Sequence, residues 1–92
     1  MTRAALLTNA LHETVFAFTQ ANTYKDAGDA VTAERMYRRA IALRPQFAGA
    51  HSNLGNLLKE QHRLVEALGE YDAALRADPQ FADAWSNRGN GM

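Results

Sequence analysis

Acid–base or metal chemistry would require histidines or carboxylates that meet at one place, and this chain offers few such combinations. None of its three histidines, His12, His51 and His62, has a second histidine four residues away, the spacing with which a helix binds a metal ion. We expect none of them to pair with a carboxylate, and we expect Glu66 and Glu70 to lie on an exposed helix face. Cysteine is absent, so there is no thiolate nucleophile. The sequence therefore predicts no catalytic residue, no metal site and no cofactor.

Short polar side chains with helical spacing are the stronger candidates for a function. Positions 52, 53, 56 and 60 fall on one stripe of a predicted helix, and amides suit recognition of a peptide backbone because each offers a donor and an acceptor. The candidate peptide-binding residues, on this stripe and at the equivalent places before and after it, are Thr19, Asn22, Lys25, Ser52, Asn53, Asn56, Lys59, Glu60, Ser86, Asn87 and Asn90. An alternative stays open, in which the asparagines recur because they form hydrogen bonds between helices.

The elements that position these residues repeat along the chain with a period of 34. One set of residues, Asn22, Val31, Ala33, Tyr37, Ala40, Pro45, Gln46 and Phe47, returns as Asn56, Val65, Ala67, Tyr71, Ala74, Pro79, Gln80 and Phe81. A third copy begins at residue 82, and the sequence ends eleven residues into it. A period of 34 indicates stacked helix–turn–helix units, each of which buries its apolar face against a neighbour.

Turn residues divide each copy into two helices. Gly28 suits the left-handed end of a helix, whereas His62 stands at the equivalent place and predicts a strained turn. Pro45 and Pro79 cannot continue a helix and so end each copy. The predicted helices cover residues 14–27, 30–43, 48–61, 64–77 and 82–90. Residues 2–13 either extend the first helix backward, to give one helix from about 4 to 27, or form a separate capping turn.

The residues of the second copy resemble the tetratricopeptide repeat, a 34-residue helical repeat. The resemblance is carried by residues at its consensus large, small and turn positions, which are His51, Leu54, Gly55, Leu58, Ala67, Tyr71, Ala74 and Pro79. It implies an all-α fold, a right-handed superhelix of antiparallel helix pairs (an α-solenoid) with about two and a half repeats and five helices. The implied organisation is an N-terminal helical extension or cap (1–13), two full repeats (14–47 and 48–81) and the first helix of a truncated third (82–92). Small residues such as Gly55 would let the paired helices cross closely.

The residue pattern of the second copy is most similar to that of the repeats of O-linked N-acetylglucosamine transferases and their bacterial relatives. In that family an asparagine of each repeat lines the inner surface and holds a bound peptide backbone. The matching residues here are Asn53 and Asn87, whereas the first copy has Thr19. The resemblance therefore implies an asparagine ladder that starts in the second repeat.

These observations predict a protein–protein interaction module that presents a concave groove to an extended peptide or partner helix and has no catalytic activity of its own. Two alternatives remain: a substrate-recruiting fragment of a larger glycosyltransferase-like enzyme, and a self-assembling scaffold, in which the unfinished C-terminal repeat would form homo-oligomers. Ten basic and ten acidic residues cancel, which favours neither nucleic acid nor an anionic membrane as partner. With no signal peptide, transmembrane segment or cysteine recognised, a cytoplasmic location is favoured over others.

Overall fold

Four helices form the part of the chain that the structure describes. The structure is a computed structural model that describes residues 3–80, with side chains from residue 9 onward. The helices are Arg3–Asp26 (α1), Ala30–Leu43 (α2), Ala48–Glu60 (α3) and Leu64–Ala77 (α4). No strand is present among these residues, and the all-α class is confirmed. The predicted fifth helix, over 82–90, lies outside the described residues, and the superhelical stacking of the repeats stays a prediction.

Helix α1 is much longer than the other three. It runs without a break from Arg3 through 24 residues, because its sequence holds no proline or glycine, and so follows the extended-helix alternative rather than the separate capping turn. Despite this length, neither α1 nor any other helix of residues 3–80 has the apolar content of a membrane span.

The helices pack as two compact pairs, α1 with α2 and α3 with α4. Each pair is antiparallel, since a turn of only three residues joins its helices. Each core surrounds one tyrosine with alanines, joined by leucines in the second pair, and the small residues let the helix backbones approach closely. The buried residues of the first pair include Ala17, Ala21, Ala33, Tyr37 and Ala40, and those of the second include Leu54, Leu58, Ala67, Tyr71 and Ala74.

The first turn and the second turn have the same backbone geometry but different residues. Gly28 follows α1 with a φ of 86°, and His62 follows α3 with a φ of 62°. In both turns the N–H of this residue and that of the next donate back to carbonyls of the preceding helix, the pattern of a left-handed C-terminal cap. The left-handed backbone expected at His62 is thus present, and the strain predicted there follows from the crowding of a side chain in this region, which glycine avoids.

The second helix of each pair ends where the following proline predicts. Arg44 and Asp78 stand before the two prolines and are extended, with φ of −143° and −146°. This is the geometry that a following proline imposes, and it stops the helix there.

Only one of the two second helices has a side-chain cap at its start. The carboxylate of Asp29 accepts a hydrogen bond from the backbone N–H of Thr32 at 3.1 Å. Hydrogen bonds from the side chain and backbone of Thr32 hold the pKa of Asp29 below its ordinary value. At the start of α4 the equivalent residue is Arg63, whose side chain makes no such bond. The first turn is therefore better adapted than the second at two adjacent positions.

Replacing His62 by glycine is expected to raise the free energy of unfolding by about 1 kcal/mol, because glycine adopts a positive φ without steric cost. The matched control is Gly28→His, which gives the first turn the residue of the second and is expected to lower stability by a similar amount. Urea denaturation followed by far-UV circular dichroism measures both. Unchanged stability in the two variants would show that the positive φ carries no strain.

Candidate functional site

The accessible side of α3 is a narrow polar stripe. This helix buries seven of its 13 residues, and those that keep some exposure include Asn53, Asn56, Lys59 and Glu60. Asn56 follows Asn53 by three residues, and Lys59 and Glu60 follow Asn56 by three and four, so all of them lie along one side of the helix. Ser52 was predicted on the same stripe, but only 1% of its surface is exposed. The accessible stripe is therefore narrower than the spacing of the residues alone indicates. The hydroxyl of Ser52 does not reach the accessible face in this conformation.

The corresponding residues of α1 are also partly accessible. Thr19 is exposed, and Asn22 and Lys25 are half-buried. The remaining candidates, Ser86, Asn87 and Asn90, lie outside the described residues. The described candidates therefore form two separate segments, one on α1 and one on α3.

Asn56 is held by a tyrosine of the opposite helix. The Tyr71 hydroxyl donates a hydrogen bond to Oδ1 of Asn56, with 2.6 Å between the two oxygens. Burial raises the pKa of Tyr71 above its ordinary value of 10.0, and the negative charge of Glu60 adds to this effect. The hydroxyl is therefore protonated at neutral pH and acts as a donor.

The same contact occurs in the first helix pair, 34 residues earlier. The Tyr37 hydroxyl donates to Oδ1 of Asn22. One of the two alternatives for the repeated asparagines, hydrogen bonding between helices, is thus present at Asn22 and Asn56. At Asn56 the bond uses Oδ1, and it does not exclude a second role for the rest of that amide.

The two tyrosine rings are supported by different neighbours. Tyr37 packs against Phe18, with ring centroids 6.1 Å apart and planes tilted by 57°. In the second pair Ser52 stands in place of Phe18, and the Tyr71 ring lies on Gly55 instead, where an added Cβ would be 2.6 Å from Cε1 of the ring. The predicted close crossing of α3 and α4 at Gly55 is confirmed.

A second polar contact between α3 and α4 was not predicted. Nδ1 of His51 lies 2.8 Å from Oε1 of Glu70, and both side chains are largely buried. The expectation that no histidine pairs with a carboxylate is wrong for His51, because the crossing of the two helices brings together residues 19 apart in sequence. The signal was in the repeat itself: the equivalent residues of the first copy are Ala17 and Met36, so both partners change together.

This pair does not form a metal site with other side chains. Over the residues that the structure describes, no three His, Cys, Asp or Glu side chains gather as metal ligands would. In the first pair of helices the equivalent region is a shallow cleft of about 300 Å³, and its lining is Glu13, Phe16, Ala17, Gln20, Met36 and Arg39. The two helix pairs share a backbone plan and differ in the chemistry of their interiors.

Comparison with known proteins gives a family for this arrangement. A family model described as tetratricopeptide repeat matches residues 18–82 and, in a second overlapping match, residues 52–90. No curated protein matches the chain. The matched residues span most of the sequence and include the C-terminal part of α1 and all of α2, α3 and α4.

Proposed function

Because the chain belongs to the tetratricopeptide repeat family, whose repeats are generally protein-interaction modules, we propose that it holds an extended peptide or partner segment along the first helices of its repeats. The proposed contacts in the described residues are Thr19, Asn22, Lys25, Asn53, Asn56, Lys59 and Glu60, and from the sequence alone Asn87 and Asn90 continue the series. The protein would supply binding and no chemistry of its own.

The observation that carries this proposal is the polar stripe of α3. A helix that buries more than half of its residues leaves one side accessible, and that side holds amides flanked by Lys59 and Glu60. Short amides can bind peptide groups of any sequence, whereas the two charged residues at the C-terminal end would select among peptides by charge. This division gives broad recognition with a local preference.

A second candidate function rests on Asn53. This residue keeps partial exposure at the position where the similarity to O-linked N-acetylglucosamine transferase repeats implies a peptide-binding amide. Under this candidate the chain recruits substrates for a glycosyltransferase-like enzyme whose catalytic residues lie elsewhere. Both candidates require the same peptide-binding face, and a catalytic domain in the same polypeptide would favour the second.

The test is capture of a random pool of short synthetic peptides, acetylated at the N-terminus and amidated at the C-terminus, by the immobilised chain. We expect wild type to enrich a subset of the pool. Asn53→Ala is expected to lose about tenfold in affinity for that subset, because it loses one hydrogen bond to a peptide group. Arg35→Ala is the control, because Arg35 is an exposed residue of α2 that is not among the proposed contacts.

Two outcomes would overturn the proposal. One is equal enrichment by all three proteins, which would place the binding surface elsewhere. The other is no enrichment by wild type, together with a mass in light scattering that grows with concentration. That result would support the self-assembling scaffold, in which the repeats bind each other.

A further inference from the structure

We infer that Tyr71 is a positioning residue that fixes the orientation of the Asn56 amide, so that this asparagine recognises hydrogen-bond acceptors, the backbone carbonyls of a bound chain, and not its N–H groups. This inference rests on the proposed peptide-binding role and specifies which peptide atoms it uses. Asparagine alone offers no such selectivity, because a free amide can rotate to present either its oxygen or its nitrogen.

The hydrogen bond between Tyr71 and Asn56 has a fixed direction. A phenol is protonated at neutral pH, and a buried phenol seeks an acceptor. Tyr71 is 2% exposed, and its hydroxyl lies 2.6 Å from Oδ1 of Asn56. The hydroxyl proton therefore selects the carbonyl end of the amide and holds it toward α4.

The same hydrogen bond also determines where the nitrogen of the Asn56 amide lies. The group is planar, so with Oδ1 turned to the hydroxyl, Nδ2 points away from Tyr71. Asn56 is only half-buried and stands on the accessible stripe of α3. The amide thus presents two N–H donors on that side, and donors bind carbonyl oxygens. A carbonyl that approaches gains a hydrogen bond without the cost of first ordering the side chain.

The hydrogen bond from tyrosine to asparagine recurs in the first helix pair, where the ring packs differently. Tyr37 and Asn22 form the same donor–acceptor pair in the other helix pair, again 15 residues apart. There the ring packs against Phe18, whereas the ring of Tyr71 packs against Gly55. The ring support differs between the two pairs and the hydroxyl contact does not. This is the pattern expected if the orientation of the amide is the shared requirement.

The first arm of the test reads the amide directly by NMR in Tyr71→Phe, which keeps the ring and removes the hydroxyl. In wild type we expect an order parameter for the Asn56 side-chain nitrogen near the rigid value of about 0.85, and in the variant one below about 0.6. We also expect only weak nuclear Overhauser contacts between the Asn56 Nδ2 protons and the Tyr71 ring. An equally rigid amide in Tyr71→Phe, a mobile one in wild type, or a strong contact from Nδ2 would overturn the inference.

The second arm uses the blocked peptide pool. Tyr71→Phe is expected to weaken capture by about threefold to tenfold, the range for one neutral hydrogen bond. Asn56→Asp keeps an acceptor for Tyr71 but has no N–H donor, so it should lose at least as much. The double variant should be no weaker than Asn56→Asp alone, because Tyr71→Phe acts only through the Asn56 donor that Asn56→Asp has already removed. The exposed Tyr24 supplies the control, and Tyr24→Phe should leave capture unchanged.

The two arms separate failure of this inference from failure of the proposed function. A rigid, correctly oriented amide in a protein that captures no peptide would refute the peptide-binding role and support the role of the tyrosine. Capture that is unchanged in Tyr71→Phe, at equal helicity by circular dichroism, would support peptide binding and refute the positioning role.

Discussion

A Gly55→Val variant is expected to lose about 3 kcal/mol of its free energy of unfolding, at the upper end of the range for overpacking a buried site. Even a single added carbon would lie 2.6 Å from Cε1 and 2.8 Å from Cδ1 of the Tyr71 ring. The ring cannot move away easily, because it is buried and its hydroxyl is bonded to Asn56. The helices would have to separate or the hydrogen bond would have to break.

Gly69→Val is the matched control for this prediction. It is the same chemical change in the middle of a helix, but an added Cβ at Gly69 meets nothing within 4 Å. Valine and glycine differ modestly in helix propensity, so this variant should stay within about 0.5 kcal/mol of wild type. Urea denaturation of both variants gives the comparison. Equal losses at the two positions would mean that the crossing at Gly55 does not set the stability of the second helix pair.

Truncation of Tyr71 to alanine is expected to cost about 3–5 kcal/mol, the usual range for removing a large buried aromatic side chain. The ring fills the space over Gly55, which has no side chain of its own to occupy it. A loss of this size approaches the whole stability of many small domains, of about 5 kcal/mol. We therefore expect partial unfolding of this variant at room temperature, visible as reduced helicity by circular dichroism.

Two further variants divide the contribution of Tyr71. Tyr71→Phe keeps the ring and removes the donor to Asn56, and we expect it to cost about 1 kcal/mol. Tyr24→Ala removes a tyrosine that is 37% exposed, and we expect a loss of about 1 kcal/mol or less. If Tyr71→Phe were as damaging as Tyr71→Ala, the hydroxyl and not the ring would dominate, contrary to the packing described above.

The sequence was sufficient to predict the elements of this fold. The period of 34 residues, the two prolines and Gly28 located α2, α3, α4 and the end of α1 to within about one residue, because these features act through local backbone geometry. The start of α1 stayed open between two alternatives, since no turn residue marks it. The positive φ at His62 followed from its equivalence to Gly28. The close crossing at Gly55 followed from the need of paired helices for a small residue where they meet.

Side-chain partners across the helix pair were harder to predict. A helical wheel shows which residues share a face, but the contact between Asn56 and Tyr71 depends on the depth and angle at which α3 crosses α4. The same uncertainty placed Ser52 on the accessible stripe when it is buried. It also hid the partner of His51, since nothing local links that residue to Glu70. Comparison of the two copies position by position recovers part of this information.

The pair formed by His51 and Glu70 also bears on how a chain of near-copies avoids assembling wrongly. Repeats that share a backbone plan can exchange helices, within one chain or between two, and such swapping is a common failure of repeat proteins. If α4 packed on α1, Glu70 would meet Ala17, and if α2 packed on α3, His51 would meet Met36. Either mismatch leaves a polar group in the interior without its partner, which is unfavourable. The hydrogen-bonded pair of His51 and Glu70 thereby distinguishes the second helix pair from the first.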